Sequence, residues 1–133
     1  MNERPRKSPA RTVKPQILLV DDEAALCELL VIYFLEAGLE ITAAATPQQA
    51  RELMDKNSFQ AIILDLNLGG EDGLEVLRFA KDKFPNIPVI IFTGQDVDEY
   101  LVKKFLADRA DGFMRKTAGL GSLLVEVRRH LPG

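Results

Sequence analysis

Four apolar runs in this chain each lead into polar side chains. The runs and the polar residues after them are Ile17–Val20 with Asp21 and Asp22, Ala61–Leu64 with Asp65, Val89–Phe92 with Thr93, and Gly112–Met114 with Lys116. If the runs are parallel strands of one sheet, their carboxyl ends lie side by side and these polar groups become neighbours. Carboxylates held so close together repel each other and resist ionisation unless they share a cation. The pattern therefore predicts a magnesium site that contains a nucleophilic aspartate.

Strand-like and helix-like patterns alternate five times along the chain. The predicted strands are Gln16–Val20, Leu39–Ala44, Ala61–Asp65, Pro88–Phe92 and Asp111–Met114. The predicted helices, placed by capping residues and apolar spacing, run from about Glu23 to Ala37, from Thr46 to Lys56, from Asp72 to Pro85, onward from Asp96, and from Leu120 to Leu131. Five such units give an α/β fold with a doubly wound parallel sheet and right-handed connections.

The composition indicates one soluble domain. The 133 residues are 47% hydrophobic and 28% charged, which excludes global disorder, and no apolar stretch is long enough to span a membrane. One cysteine, Cys27, cannot form an internal disulfide and fits a reducing compartment. The first residues lack the apolar stretch of a secretory signal. We therefore expect a cytoplasmic protein.

The basic residues near the amino terminus predict a separate tail. Residues 1–14 carry five Lys or Arg side chains against a single acidic one, Glu3, whereas the whole chain has a net charge of −3. We interpret residues 1–14 as a flexible basic tail and residues 15–133 as the folded domain. The domain itself is acidic, which makes it a poor general binder of nucleic acid.

The polar residues occur in recognisable motifs. The motifs are Ile17–Glu23, Ile63–Leu68 leading to Asp72–Leu74, Ile91–Gly94, and Asp111–Lys116. From Gln16 to Leu131 the chain resembles the receiver domain of bacterial two-component response regulators. Each motif is weak alone, but all of them occur in order and each lies at the end of a predicted strand. The resemblance implies a flavodoxin-like (βα)5 fold with strand order 2-1-3-4-5.

The resemblance also implies a role for the acidic residues. Asp65 would accept a phosphoryl group from a histidine kinase or a histidine phosphotransfer protein. Asp22 and Asp65, with the backbone carbonyl of Asn67, would bind Mg²⁺, and Asp21 would act largely through a water molecule. These roles agree with the oxygen ligands that Mg²⁺ prefers and with the charge neutralisation that phosphoryl transfer requires.

By the same resemblance, other residues would bind the phosphoryl group and change conformation in response to it. Lys116 would pair with the aspartyl phosphate, the Thr93 hydroxyl would take another phosphoryl oxygen, and Gly94 would leave room for both. As Thr93 moves inward, Phe113 would enter the space that it vacates, which changes the surface offered to a downstream effector protein. The alternative for Phe113 is an ordinary core aromatic.

Three positions depart from the family pattern. Thr117 stands where a proline usually follows the lysine, and this predicts a trans peptide bond and a rerouted loop. Gly69 replaces a frequent proline after the phosphorylated aspartate and predicts a looser loop. Arg109 stands where a helix-ending glycine is common, so a left-handed backbone there would cost about 1 kcal/mol.

The first helix carries more apolar residues than one core face needs. Its core row is predicted to be Leu26, Leu29, Leu30, Tyr33 and Phe34. A second row, formed by Cys27, Val31 and Leu35, is predicted to face solvent in part. It is either an extension of the core face, a docking surface for a kinase or phosphotransfer helix, or a dimer contact.

Several other functions remain as alternatives. An aspartate-nucleophile phosphatase would resemble Asp-x-Asp after the first strand, whereas Asp65 follows the third and is two residues before Asn67. A flavodoxin-like cofactor binder needs a phosphate-cradling loop that the acidic residues after strand one oppose. A degenerate receiver, used only as an unphosphorylated interaction module, would lack some of the functional residues of the family. All of them are present here: Asp21, Asp22, Asp65, Thr93 and Lys116. We expect no enzymatic turnover beyond self-phosphorylation and slow autodephosphorylation, no membrane contact and no direct DNA binding. The chain is expected to be either a stand-alone receiver or a fragment of a longer regulator.

Overall fold

The computed structural model of the chain describes residues 13–94, 99–107 and 109–132. The strands, in chain order, are β1 (Gln16–Val20), β2 (Glu40–Ala44), β3 (Ala61–Leu64), β4 (Asn67–Leu68), β5 (Glu71–Asp72), β6 (Val89–Thr93) and β7 (Gly112–Arg115). Five of them form one parallel sheet in the order β2-β1-β3-β6-β7. Since β6 and β7 are the fourth and fifth strands of that sheet, the predicted order 2-1-3-4-5 is confirmed. The β4–β5 hairpin was not predicted.

In the part of the chain that the structure describes, five α-helices connect and cover the strands. They are α1 (Ala24–Glu36), α2 (Pro47–Lys56), α3 (Gly73–Lys83), α4 (Glu99–Ala107) and α5 (Leu120–His130). Two predicted caps are present: Thr46 Oγ1 accepts a hydrogen bond from Gln49 N at 3.1 Å, and Asp72 Oδ1 accepts one from Leu74 N at 2.9 Å. The predicted cap at Asp96 lies outside the described residues. No helix in the described ranges has the length and apolar character needed to cross a bilayer.

The core lies on both faces of the sheet because side chains of each strand alternate between the faces. Leu18 and Val20 of β1 face α2 and α3, where they pack with Met54 and Leu77. The residues between them, Ile17 and Leu19, face α1 and α5 on the opposite side, where the helices contribute Leu30, Phe34, Leu123 and Val127. Strands buried on both faces read as unbroken apolar runs, as those of this sequence do.

The burial of α1 differs from the predicted core row. Leu30 and Phe34 are buried, but Leu29 is 57% exposed, so its assignment to the core was wrong. Of the predicted second row, Leu35 is 47% exposed, whereas Cys27 and Val31 are half-buried against the core. The exposed apolar row is therefore Leu29, Ile32 and Leu35. The sequence pattern could not separate the two faces because α1 is apolar on almost every side.

The backbone confirms the predicted trans peptide after Lys116 and shows that Arg109 is left-handed. Arg109 has φ of 82°, a left-handed conformation that a residue with a Cβ adopts at a cost of about 1 kcal/mol. Peptide bonds in the described part of the chain are trans, including the one between Lys116 and Thr117. After β7 the chain turns through a short 3₁₀ helix, Lys116–Ala118, which carries Lys116 back over the end of the sheet.

Candidate functional site

The carboxyl ends of β1 and β3 bring three aspartates together. The parallel ladder continues past both strands, because Asp21 N donates to Ala44 O and Asp65 N donates to Val20 O, both at 2.9 Å. Asp21 and Asp65 are buried, and Asp22 is exposed at the rim. One carboxylate oxygen from each lies within 4.8 Å of the others. The acidic cluster expected from the apolar runs is therefore present.

Lys116 places an ammonium group in the middle of this cluster. Its Nζ donates hydrogen bonds to Asp65 Oδ2 and to Glu23 Oε1, each at 3.0 Å. Asp21 Oδ2 lies 2.8 Å from the same nitrogen as an ion-pair partner. The Lys116 side chain is 19% exposed and that of Asp65 is 8% exposed, so the pairs are largely shielded from water. Residues from β1, β3 and the end of β7 thus meet at one point.

Burial and charge act differently on the two ends of the Asp21–Lys116 pair. Burial raises the pKa of the Asp21 carboxyl above its ordinary value of 3.8, and the contact with Lys116 offsets only part of this effect. Burial also acts to lower the pKa of Lys116, but the close contacts with the carboxylates of Asp21, Asp65 and Glu23 outweigh it and raise the pKa. The difference arises because the ammonium has several carboxylate partners, whereas each carboxylate shares a single ammonium. The carboxylates at the site therefore outnumber the ammonium group, and the site carries excess negative charge.

The charge of this cluster suits a further cation. Asp21 Oδ2 is buried and accepts no hydrogen bond, since its close approach to Lys116 Nζ lacks hydrogen-bond geometry. Lys116 places one positive charge against this oxygen, but the cluster holds three aspartates, so a second cation would offset negative charge that the ammonium leaves uncompensated. Oxygen ligands from several carboxylates are the donor set that Mg²⁺ prefers. The residues present therefore fit a divalent ion, and Asp21, Asp22 and Asp65 are those that would hold it.

The β4–β5 hairpin forms the loop beside the cluster. Its turn residues, Gly69 and Gly70, have φ of 62° and 91°, conformations that glycine adopts without strain. A Cβ on Gly69 would lie 3.3 Å from Asp22 Oδ2, so glycine also lets the hairpin approach the rim carboxylate. Asn67 N donates to Asp65 Oδ1 at 3.3 Å, which holds the second oxygen of that carboxylate. The loop thus forms a short antiparallel hairpin, and the looser loop expected from Gly69 remains a prediction.

Gly73 allows the start of α3 to pack directly under Asp65. Its amide N donates to Leu66 O at 2.9 Å. A Cβ at this position would lie 2.3 Å from Asp65 O and 2.9 Å from Leu66 Cα, closer than real Cβ atoms approach. These neighbours are backbone atoms and cannot rotate away. The first turn of α3 therefore fixes the backbone that carries Asp65.

The remaining predicted residues also lie at the carboxyl edge or next to it. Thr93 is the last residue of β6 and is buried, and Gly94 follows it at the surface. A Cβ on Gly94 would lie 3.7 Å from Lys116 Cδ, an ordinary contact. Phe113 pairs in register with Ile91 and is half-buried against the core on the α2 and α3 side. Its partial exposure leaves both the switch and the core-aromatic interpretations open.

Two residues that shape the site had no assigned role in the sequence. Glu23 follows the acidic pair directly, so its position near the strand end was the available signal, but its contact with Lys116 depends on the fold. Gly73 follows the capping Asp72, and a glycine at a helix start usually indicates only a loop. Its close approach to Asp65 becomes visible only when α3 is packed on β3.

The family of the chain follows from comparison with known proteins. The response regulator receiver domain family matches residues 17–128, the span that runs from β1 into α5. The chain belongs to this family. Its acidic cluster, Lys116 and Thr93 therefore occupy the edge of a receiver domain.

Known receivers share both sequence and fold with this chain. The regulatory protein VirG of Agrobacterium fabrum is 31% identical over 112 residues, covering 84% of this chain and 44% of VirG. A CheY-like receiver from Methanospirillum hungatei is 26% identical with a TM-score of 0.80, covering 88% of this chain and 93% of the other. TrrA from Thermotoga maritima, solved in complex with Mg²⁺-BeF, is 27% identical with a TM-score of 0.78, covering 88% and 99%. The chain spans less than half the length of the VirG proteins that it matches.

The buried charge of Asp21 should reduce the stability of the fold. Because its pKa is raised in the folded state, that state binds the proton more tightly than the unfolded state, and the free energy of unfolding falls as pH rises above 3.8 through the folded pKa. We expect Asp21→Asn to raise the free energy of unfolding at neutral pH by about 0.5–2 kcal/mol, and less in acid. Urea unfolding in a metal chelator measures both effects.

The exposed neighbour Asp22 provides the control for this variant. Asp22→Asn should change the unfolding free energy by no more than about 0.5 kcal/mol. Lys116 keeps Asp65 and Glu23 as partners when Asp21 is neutralised, so its charge is not left unpaired. A loss of stability in Asp21→Asn at neutral pH would contradict the prediction.

Proposed function

We propose that the chain is a phosphoacceptor receiver, in which Asp65 takes a phosphoryl group from a phosphohistidine on a histidine kinase or a histidine phosphotransfer protein. One observation carries the proposal: Asp65 Oδ2 accepts a hydrogen bond from Lys116 at 3.0 Å within an acidic cluster that suits a divalent ion. Neighbouring carboxylates destabilise the ionised form of an aspartate. Once cations neutralise that negative charge, the same carboxylate is a good nucleophile.

The transfer step needs little covalent help from the protein. A carboxylate oxygen of Asp65 attacks the phosphorus of the phosphohistidine, and an O–P bond forms as the P–N bond breaks. The electrons of the broken bond remain on the imidazole nitrogen, which takes up a proton and leaves as neutral histidine. Because the transition state is loose, positioning and charge neutralisation supply most of the catalysis. Water can later attack the same phosphorus, which restores the carboxylate and releases phosphate.

The chain's own residues would hold the new phosphoryl oxygens. Lys116 already lies against Asp65 and needs only a small movement to contact an oxygen on the phosphoryl group. Thr93 ends the neighbouring strand β6 and would supply a hydroxyl donor. A bound Mg²⁺, held by Asp21, Asp22 and Asp65 with the Asn67 carbonyl, would neutralise the charge that develops on the phosphoryl oxygens. The Mg²⁺-BeF complex of TrrA supports this choice of metal.

The proposed output is a change of surface around β7. Once Thr93 contacts the phosphoryl group, Phe113 would turn further into the core and alter the face formed by α4, β7 and α5. Phe113 is half-buried against the core in the structure, so part of its ring surface remains for such a movement to bury. A downstream effector protein that binds one arrangement better would then read the phosphorylation state. We propose no direct DNA contact by this chain.

The context of the receiver is also part of the proposal. Because the chain spans 44% of the VirG protein, we propose as a second possibility that it is the receiver part of a longer regulator. In either case it would turn over no separate substrate, and its only reactions would be self-phosphorylation and slow hydrolysis of the aspartyl phosphate. The single thiol, Cys27, is consistent with the reducing conditions of the cytoplasm, where we propose that it acts.

Incubation with acetyl phosphate tests the proposal. Intact-mass measurement of the wild-type chain should show the gain of one phosphoryl group when Mg²⁺ is present and little or no gain when the metal is chelated. Asp65→Ala should show none under either condition, because the nucleophile is absent. Glu71→Ala, which removes an exposed carboxylate of the adjacent hairpin, controls for nonspecific modification and should be phosphorylated like the wild type.

Two results would contradict the proposal. One is a wild-type chain that remains unmodified with acetyl phosphate and with a phosphorylated histidine kinase. The other is an Asp65→Ala variant that is modified as fast as the wild type, which would place the phosphoryl group on another residue.

A further inference from the structure

Glu23 is a third acidic partner of Lys116 that lies outside the aspartate cluster. Its Oε1 accepts a hydrogen bond from Lys116 Nζ at 3.0 Å, the same distance as Asp65 Oδ2. The three carboxylates around Lys116 differ greatly in exposure. The side chain of Asp21 is 1% exposed and that of Asp65 is 8% exposed, but that of Glu23 is 60% exposed. Of the three, Glu23 can therefore return to water most easily.

The helix position of Glu23 indicates that its contact with Lys116 is not a by-product of capping. Glu23 is the N-cap of α1, yet its side chain makes no capping hydrogen bond. N-cap positions favour Asp, Asn, Ser and Thr, whose short side chains reach the first free N–H groups of the helix. The longer glutamate side chain extends away from the helix and reaches Lys116 instead. The residue type thus fits the ion pair better than it fits the cap.

We propose that Glu23 is an exchangeable partner of Lys116, which holds the ammonium in the unphosphorylated protein and releases it to the phosphoryl group. The inference rests on the proposed phosphorylation of Asp65. An ammonium has only three N–H donors, and here carboxylate oxygens surround it on several sides. A phosphoryl oxygen that binds Lys116 must compete with them. Glu23 loses this competition first because water can replace Lys116 as its partner.

Glu23 would therefore restrain phosphorylation. Its pairing with Lys116 stabilises the unphosphorylated state and leaves the phosphorylated state almost unaffected. Removing the pairing should accelerate phosphorylation by about two- to five-fold, the effect expected of one partly exposed ion pair. Salt should reduce the difference, since it screens an exposed pair more than a buried one. Glu23 acts through Lys116 and is a positioning residue.

Two substitutions at position 23 separate pairing from general charge. Glu23→Gln removes the charge and keeps the length, whereas Glu23→Asp keeps the charge but shortens the side chain and favours the helix cap. Both variants should take a phosphoryl group from acetyl phosphate and Mg²⁺ about two- to five-fold faster than the wild type. If only Glu23→Gln is faster, the local negative charge and not the Lys116 pairing controls the rate, and the inference fails.

Glu28 and Lys116 provide the controls. Glu28 is an exposed glutamate of the same helix, so Glu28→Gln makes the same change of charge and should leave the rate at the wild-type value. Glu23→Gln should give no acceleration in a Lys116→Met background, because the partner is absent. Unfolding free energies of the Glu23→Gln and wild-type chains should differ by no more than about 1 kcal/mol, the range expected for one partly exposed ion pair.

The possible outcomes are distinct. A wild-type chain that is phosphorylated at the same rate as Glu23→Gln overturns this inference and leaves the proposed function intact. Acceleration by Glu28→Gln, or by Glu23→Gln without Lys116, also overturns it. A wild-type chain that takes no phosphoryl group overturns the proposed function and this inference together.

Discussion

Lys116→Met should destabilise the domain by about 3 kcal/mol at neutral pH in the absence of divalent ions. Removal of one partner of a buried ion pair costs about 3–5 kcal/mol, and the 19% exposure of the Lys116 side chain favours the lower end. The variant leaves the buried carboxylates of Asp21 and Asp65 without their shared ammonium. Their mutual repulsion and the cost of burying them are then no longer offset. Urea unfolding with a chelator present measures the loss.

The unfolding free energy of Lys116→Met should depend more strongly on metal and on pH than that of the wild type. If the proposed Mg²⁺ site is correct, the ion binds the folded state and not the unfolded state, and in Lys116→Met it would be the only cation in the cluster. It should therefore raise the unfolding free energy of the variant more than that of the wild type. Acid should also reduce the loss, because burial raises the pKa of the Asp21 carboxyl above that of the unfolded chain and its part of the penalty disappears as it is protonated.

Lys83 is the matched control for Lys116. It forms an ion pair with Asp55 at 2.5 Å, but the two side chains are 52% and 46% exposed. Lys83→Met keeps most of the aliphatic side chain and should cost no more than about 1 kcal/mol, as exposed ion pairs do. Equal losses in the two variants, or equal stabilisation of Lys116→Met and the wild type by Mg²⁺, would show that the acidic cluster does not depend on Lys116.

Gly73→Ala should also destabilise the fold by about 3 kcal/mol, near the upper end of the usual range for overpacking. The new Cβ would lie 2.3 Å from Asp65 O, so either α3 or the Asp65–Leu66 backbone must shift. Alanine favours helices over glycine by roughly 1 kcal/mol, but this gain is smaller than the cost of the clash. The shift should also slow phosphorylation of the folded fraction, because Asp65 moves relative to Lys116.

Gly112→Ala tests whether any added methyl group has this effect. Its Cβ would lie 2.7 Å from Glu126 Oε2, the far end of a flexible side chain whose ion pairs with Arg129 and His130 lie on the same helix and can adjust with it. We expect a change of no more than about 1 kcal/mol, since β7 needs no backbone movement. Unfolding curves and phosphorylation rates of the two variants measure the contrast. A Gly73→Ala variant as stable as the wild type would contradict the close packing of α3 on Asp65.

The fold and the acidic cluster could be predicted because each depends on a local pattern. Unbroken apolar runs identify strands that are buried on both faces, and caps such as Thr46 and Asp72 mark helix starts. Alternating strands and helices allow few topologies, and all of them place the carboxyl ends of the strands together. Asp21 and Asp65 therefore had to be neighbours although 44 positions separate them in the sequence. The structure confirms this arrangement.

The burial of α1 could not be predicted in the same way. Leu29, Leu30 and Phe34 are all apolar, and a helix with apolar residues on nearly every side has no periodicity that selects its core face. Only the docking of α1 on the sheet and on α5 leaves Leu29 exposed while burying Leu30 and Phe34. Sequence reasoning failed here because the deciding contacts are between elements.

The amino-acid pattern alone places Asp21, Asp22, Asp65, Thr93 and Lys116 at the ends of strands, because local periodicity identifies the strands and parallel strands share one carboxyl edge. The strand order and the family follow from the resemblance of the motifs to those of receiver domains. The tertiary structure alone decided that Lys116 also contacts Glu23, that Gly73 lies under Asp65, and that Asp21 Oδ2 lacks a hydrogen-bond donor. Each of these depends on side-chain reach and on packing distances of a few ångströms between separate elements, which no pattern along the chain encodes.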